Sequence, residues 1–158
     1  MKGNDQLIEK LNDLLSDEIT AINQYLVHAE MAENWGYEAL YKHIRARAMT
    51  EMKHMDKLIE RILFLEGRPV VSRLKEIRIS PEVPGMFVND LGLEMGAVRS
   101  YNDAVRLAAE VGDNATKEML EHILSDEDGH VDEIEANQDR IQQLGLQLYL
   151  STQVGKKE

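Results

Sequence analysis

Two stretches of the chain set a glutamate and a histidine three residues apart: Glu51 and His54 in "EMKHMD", and Glu127 and His130 in "DEDGHVDEIE". Residues three apart share one face of a helix, and the face of Glu51 and His54 also carries Ala48, Met55, Leu58 and Ile62, so it is expected to be buried. Two further acids fall in apolar stripes: Glu18 among Leu11, Leu14, Ile22 and Tyr25, and Glu94 among Leu91, Val98 and Tyr101. The offsets repeat. Glu18 to Glu94, Glu51 to Glu127, His54 to His130 and Asp56 to Asp132 are each 76 residues. Two similar halves facing each other about a pseudo-twofold axis would produce this pattern. Four carboxylates and two imidazoles in one core need compensation, because burying even one unpaired carboxylate costs several kcal/mol or forces it to take a proton. Two divalent cations balance four carboxylates while the imidazoles stay neutral. Oxygen and nitrogen donors without sulfur suit Fe²⁺ or Mn²⁺, with Zn²⁺ as competitor. "EMKHMD" would then supply half of a dimetal site. The alternatives are that the buried acids pair with Arg or Lys, or that the helix faces are offset by one position from this reading.

The elements that must position these residues are long helices. All three prolines fall between residues 69 and 84, and helical periodicity runs on both sides of them. Helices are expected over 5–34, 37–65, 82–111 and 115–143. Their breaks lie at Asn34-Trp35-Gly36, Glu66-Gly67-Arg68-Pro69, Gly112-Asp113-Asn114 and Gly145, and "LQLYLSTQV" forms a short fifth helix. Short turns make antiparallel pairs, and the 66–81 segment is long enough to run the length of the bundle. The expected fold is therefore all-α, a ferritin-like four-helix bundle with a long crossover between helices two and three. Residues 1–158 form a single domain in this reading.

Composition narrows the function. The formal charge of −11, from 29 acidic and 18 basic residues, opposes nucleic-acid binding and leaves either a solubilising acidic surface or a protein that attracts cations. Cysteine is absent, which removes disulfides and thiolate ligands and fits a reducing compartment. The start, "MKGNDQLIEK", does not resemble a signal peptide, and no run approaches the roughly 18 apolar residues that span a bilayer. A soluble, cytoplasmic protein without a membrane partner is expected.

On "MKG", on "LSDEITAINQYLVHAEMAENWG" from Leu15 to Gly36, on "EMKHMDKLIERILFLEG" at 51–67 and on "DEDGHVDEIE" at 126–135, the chain resembles the bacterioferritins over essentially its whole length. The resemblance implies a ferroxidase that oxidises Fe²⁺ with O₂ or H₂O₂ at a di-iron centre. It also implies storage of ferric mineral inside a hollow homo-oligomeric 24-subunit shell of dimers, with a ferredoxin or reductase for iron release. It implies two iron ions per subunit: Glu18 and His54 on one, Glu94 and His130 on the other, Glu51 and Glu127 bridging. Met52 would be the axial ligand of a b-type haem shared between two subunits. Consecutive helix residues point about 100° apart, so Met52 faces sideways if Glu51 faces inward. Acidic pores would be lined by residues matching Asn34, Glu66, Asp132 and Asp139. An accessory iron site of some members is not expected, since Ala46 and Thr50 stand at its positions, and Glu133 replaces an aromatic residue.

Tyr25, two turns from Glu18, is a candidate hydrogen-bond or electron donor near the metals. His28, His43 and His122 are expected in surface or structural roles. The rival readings are a haem-free bacterial ferritin, a rubrerythrin-like di-iron peroxidase (disfavoured without Cys) and a non-catalytic acidic helical scaffold.

Overall fold

The computed structural model describes residues 1–155. Its helices are α1 (Asp5–Asn34), α2 (Glu38–Phe64), α3 (Val83–Glu110), α4 (Asn114–Leu144) and a short α5 (Leu146–Gln153). The expected boundaries hold to within a residue, and the bundle is all-α with the long crossover between α2 and α3. Local chemistry explains the ends. Asn4 caps α1 by accepting from Leu7 N at 3.0 Å, and Asp113 caps α4 by accepting from Thr116 N at 3.0 Å, each satisfying an otherwise orphaned first-turn amide. Gly36, Gly112 and Gly145 take left-handed φ angles of 84°, 78° and 80° at three of the breaks.

The stop after α2 works differently from its sequence. The left-handed residue is Glu66, at φ 61°, not Gly67. Gly67 is needed for space, because a Cβ there would lie 2.6 Å from Ile8 Cγ2 and 3.0 Å from Ile62 Cγ2. Gly67→Ala is therefore expected to cost about 1–3 kcal/mol through overpacking, whereas Glu66→Gly, at an angle glycine adopts freely, costs nothing measurable. Thermal unfolding of the two variants beside the wild type checks this.

α1 pairs with α2 and α3 with α4, and α1 also packs along α3. The core is layered. Leu7, Leu11, Leu58, Ile62, Leu120 and Ile123 belong to one apolar cluster. Ala29, Leu40, Ile44, Phe87, Ile134 and Tyr149 belong to the other. Between them lies a layer of buried acids and histidines. Tyr149 anchors α5 to the second cluster, edge-on to Phe87 at 6.3 Å, with its hydroxyl donating to Asn137 Oδ1 at 2.7 Å.

The crossover is no free loop. A polar stripe with period four on α1 holds its backbone: Asn12 accepts from Val70 N (2.8 Å) and donates to Arg68 O (3.1 Å), and Ser16 donates to Arg73 O (3.0 Å). Further along, Thr20 accepts from Lys75 N (2.9 Å), Gln24 from Arg78 N (2.9 Å) and His28 from Ser80 N (3.2 Å). Gln24 and His28 both also donate to the fully buried Asp90 of α3, at 2.8 Å each. His28 thus has a structural role, tying the crossover to α3. No helix among the described residues is long and apolar enough to cross a membrane.

Candidate metal centre

The buried layer brings together the six residues singled out by their spacing. Glu18 comes from α1, Glu51 and His54 from α2, Glu94 from α3, and Glu127 and His130 from α4. Their donor atoms form two groups, Glu18, Glu51, His54 and Glu127 in one and Glu51, Glu94, Glu127 and His130 in the other, with all atoms of a group within 4.8 Å of one another. Glu51 and Glu127 are common to both. The four glutamates and His54 are 1% exposed and His130 is 9%. Among the described residues, the ion-pairing partners of these glutamates are the two histidines alone, so pairing with Arg or Lys is ruled out as the reason for their burial.

Each of the six carries one buried atom without a hydrogen-bond partner: Glu18 Oε2, Glu51 Oε1, His54 Nδ1, Glu94 Oε2, Glu127 Oε1 and His130 Nδ1. The distances are short. His54 Nδ1 is 2.9 Å from Glu127 Oε1 and His130 Nδ1 is 3.0 Å from Glu51 Oε1. Yet these atoms are not aligned as donor and acceptor. In each group the donor atoms of four residues lie close enough together to surround one cation. An orphaned buried polar atom costs about 1–3 kcal/mol, more when charged, so six together are unfavourable unless something fills the space between them.

Without a cation, protons must do this. Burial, reinforced by the Glu51 charge, pushes the Glu18 carboxyl well above its ordinary range, and burial beside Glu94 does the same to Glu127. Burial would also raise Glu51, but Glu18, His130 and His54 outweigh it and hold that carboxyl low. Burial opposes charge on the imidazoles too, yet Glu127, Glu18 and Glu51 carry His54 well up, and Glu51 and Glu94 bring His130 to about 9. Cation binding must expel these protons. For His130 the folded value of about 9 exceeds the ordinary 6.5. Its contribution to the metal-free fold is therefore complete below 6.5 and lost as pH rises through about 9, and the raised carboxyls act in the same direction. We expect the melting temperature of the metal-free protein to fall from pH 6.5 to 9 while the increment gained from added Zn²⁺ grows. Paired melts across that interval, with proton release followed by an indicator dye, test it.

Tyrosines brace Glu18 and Glu94. The Tyr101 hydroxyl donates to Glu18 Oε1 at 2.5 Å, and the Tyr25 hydroxyl donates to Glu94 Oε1. Tyr25 thus reaches the glutamate of the opposite helix rather than Glu18 on its own. Burial first, then the neighbouring carboxylates (Glu94 and Glu18 respectively), push both phenols well above their ordinary range, so they stay protonated donors. Tyr25 and Tyr101 are also 76 residues apart, and that offset could have identified Tyr101 as a second brace. On the far side of one imidazole, His54 Nε2 donates to Asp126 Oδ2 at 2.8 Å, a partner that the spacing of the ligands did not indicate.

Glu133 gains a clear setting. Arg47, 3% exposed, donates to Glu133 Oε2 at 3.3 Å and lies with its guanidinium 5.5 Å from the centre of the Tyr25 ring. His43 Nε2 sits 3.5 Å from the same Glu133 oxygen, and His122 is exposed. Thr50 donates its hydroxyl to Ala46 O at 3.2 Å. Asn34, Glu66, Asp132 and Asp139 are all exposed. Met52 is 42% exposed and belongs to neither core cluster. A cavity of about 140 Å³ adjoins the centre, lined by Glu18, Glu51, Glu94 and Glu127 within and by Asp17 and Lys75 as well. Lys75 Nζ is 2.5 Å from Asp17 Oδ1.

The family model described as a ferritin-like domain matches residues 8–144. The chain is 42% identical over 147 residues to the bacterioferritin of Rhodobacter capsulatus, covering 93% of this chain and 91% of that protein. It is 38% identical over 149 residues to that of Brucella melitensis biotype 1, covering 94% and 92%. With the bacterioferritin of Mycolicibacterium paratuberculosis it shares 36% over 149 residues, covering 94% of each.

Proposed function

This chain belongs to the ferritin-like family, and within it to the bacterioferritins, and from that premise we propose that it stores iron and oxidises Fe²⁺ at the six-residue centre. The observation that carries this reading is the set of six orphaned donor atoms, one per residue, in two groups that share Glu51 and Glu127. Iron enters as substrate. Glu18 and His54 hold one Fe²⁺, Glu94 and His130 the other, and Glu51 and Glu127 span both. Shared carboxylates keep the two ions close enough for one molecule of O₂ or H₂O₂ to take an electron from each. Tyr101 and Tyr25 fix Glu18 and Glu94 in the binding orientation. The ferric product then collects inside a shell of copies of this chain, in a cysteine-free protein suited to the cytoplasm, with a ferredoxin or reductase as partner for release.

A b-type haem shared by two copies completes the proposal. Met52 suits it because the thioether lies outside the core and is open to a second copy. Such a group supplies one-electron transfer when bound.

Fe²⁺ added in air to the metal-free protein should oxidise in a fast phase that saturates at two ions per chain and then continue more slowly inside a shell-sized particle. Oxidation no faster than in protein-free buffer, or a fast phase of one ion per chain, would overturn the reading. A colourless active shell would favour a haem-free ferritin, and an inactive monomer the acidic scaffold.

A further inference from the structure

The pseudo-twofold relation that pairs the six ligands fails one layer out. Applied to Asp126, which accepts from His54 Nε2 at 2.8 Å, the 76-residue offset gives Thr50. Position 50 on α2 stands to His130 as position 126 on α4 stands to His54. Thr50 is a neutral side chain whose hydroxyl is spent on Ala46 O, and among the described residues no hydrogen bond holds His130 Nε2. A second break lies nearby. Arg47, whose counterpart at the same offset is the apolar Ile123, sets a buried cation over the Tyr25 ring, and Tyr25 is the brace of Glu94. Arg47 Nε and Nη1 are themselves unpartnered. Among the described residues its charge is met by Glu133 alone and shared with His43.

We propose that the two metal positions are unequal: Glu18 and His54 bind their divalent cation more tightly than Glu94 and His130, with Asp126 as the positioning residue that makes the difference. This rests on the dimetal reading above. A carboxylate on the far nitrogen fixes the ring and tautomer of a ligating histidine and makes its other nitrogen a better donor, commonly by about 10–100-fold in affinity. Asp126 is half exposed, which places the expected gap near the lower end, about 10-fold. The charge of Arg47 beside the opposite half acts in the same direction.

Co²⁺ alone, added to the metal-free full chain, serves as the probe because air does not turn it over. Calorimetry should resolve two steps about 10-fold apart. Crystals loaded with one equivalent should show anomalous scattering concentrated between Glu18 and His54. Asp126→Thr should bring the two steps together, Thr50→Asp should strengthen the second, and the double exchange should reverse which position fills first. A purely structural role for Asp126 would weaken both steps and would reverse nothing. Equal steps in the wild type, or first filling beside His130, would overturn the inequality while leaving the dimetal reading intact. No Co²⁺ binding at all would overturn both.

Discussion

Replacing Glu51 or Glu127 with alanine is expected to abolish rapid Fe²⁺ oxidation. Each belongs to both donor groups, so each truncation removes a ligand from both ions at once and leaves a single shared carboxylate to hold them as a pair. Loss of a group that merely orients a ligand costs about 10–100-fold, and removing a shared ligand exceeds that. Stopped-flow absorbance of the ferric product should show no fast phase in either variant, and a wild-type rate in either would remove both residues from the centre. Stability separates the two. The Glu127 carboxyl is pushed up by its burial beside Glu94, so its removal relieves part of the metal-free cluster, offset by the lost contact with His54, and changes stability little. Glu51 is held low by Glu18 and both histidines and is the anion they converge on. Glu51→Ala takes away a carboxylate that faces both imidazoles and should lower the melting temperature of the metal-free protein. Alanine at both positions, melted without metal, should therefore give shifts of different size, with the larger loss at 51.

Met52→Leu is expected to abolish haem binding while sparing assembly and ferroxidase activity. The two side chains are close in volume and polarity, so packing changes by under about 1.5 kcal/mol. Leucine offers no lone pair to an iron. The oxidation centre should be untouched, because Glu51 and His54 are buried while Met52, between them, is 42% exposed. The measurement is the haem absorption band per chain, beside particle size and the fast oxidation phase. Full haem content in the variant would make Met52 a packing residue and place any haem elsewhere.

The centre was legible because its signal is carried by side chains that violate their surroundings. An acid in an apolar stripe is conspicuous, and repetition at a fixed offset identifies which violations belong together. The same offset holds Tyr25 and Tyr101, yet a tyrosine in a core breaks no rule, so nothing about it points to Glu94 across the bundle. Glu133 was opaque for a related reason. Its partner Arg47 lies on another helix, 86 residues away, and no local pattern joins them. Gly67 shows the opposite limit. A glycine after a helix suggests a left-handed angle, but here the requirement is room beside Ile8, which no neighbouring residue announces. The crossover was the least legible part, since most of its contacts run from α1 side chains to backbone groups, which every sequence carries alike.

That crossover has a property of its own: it is commensurate with the helix beneath it. From Asn12 to His28 the helix advances 16 residues, about 24 Å, while the overlying chain from Val70 to Ser80 advances 10. Each crossover residue therefore covers about 2.4 Å, less than the roughly 3.3 Å of an extended strand, and its peptide groups fall in register with every fourth helical side chain. An inserted residue would displace each later amide by about that 2.4 Å, beyond what a hydrogen bond tolerates. Exposed side chains such as Val71 and Leu74 take no part in this register, but the number of residues does. Connections of this length usually absorb insertions. This one works as a ruler laid along α1, and it fixes how far α3 begins from the end of α2, and so where Glu94 meets Glu51 and Glu127.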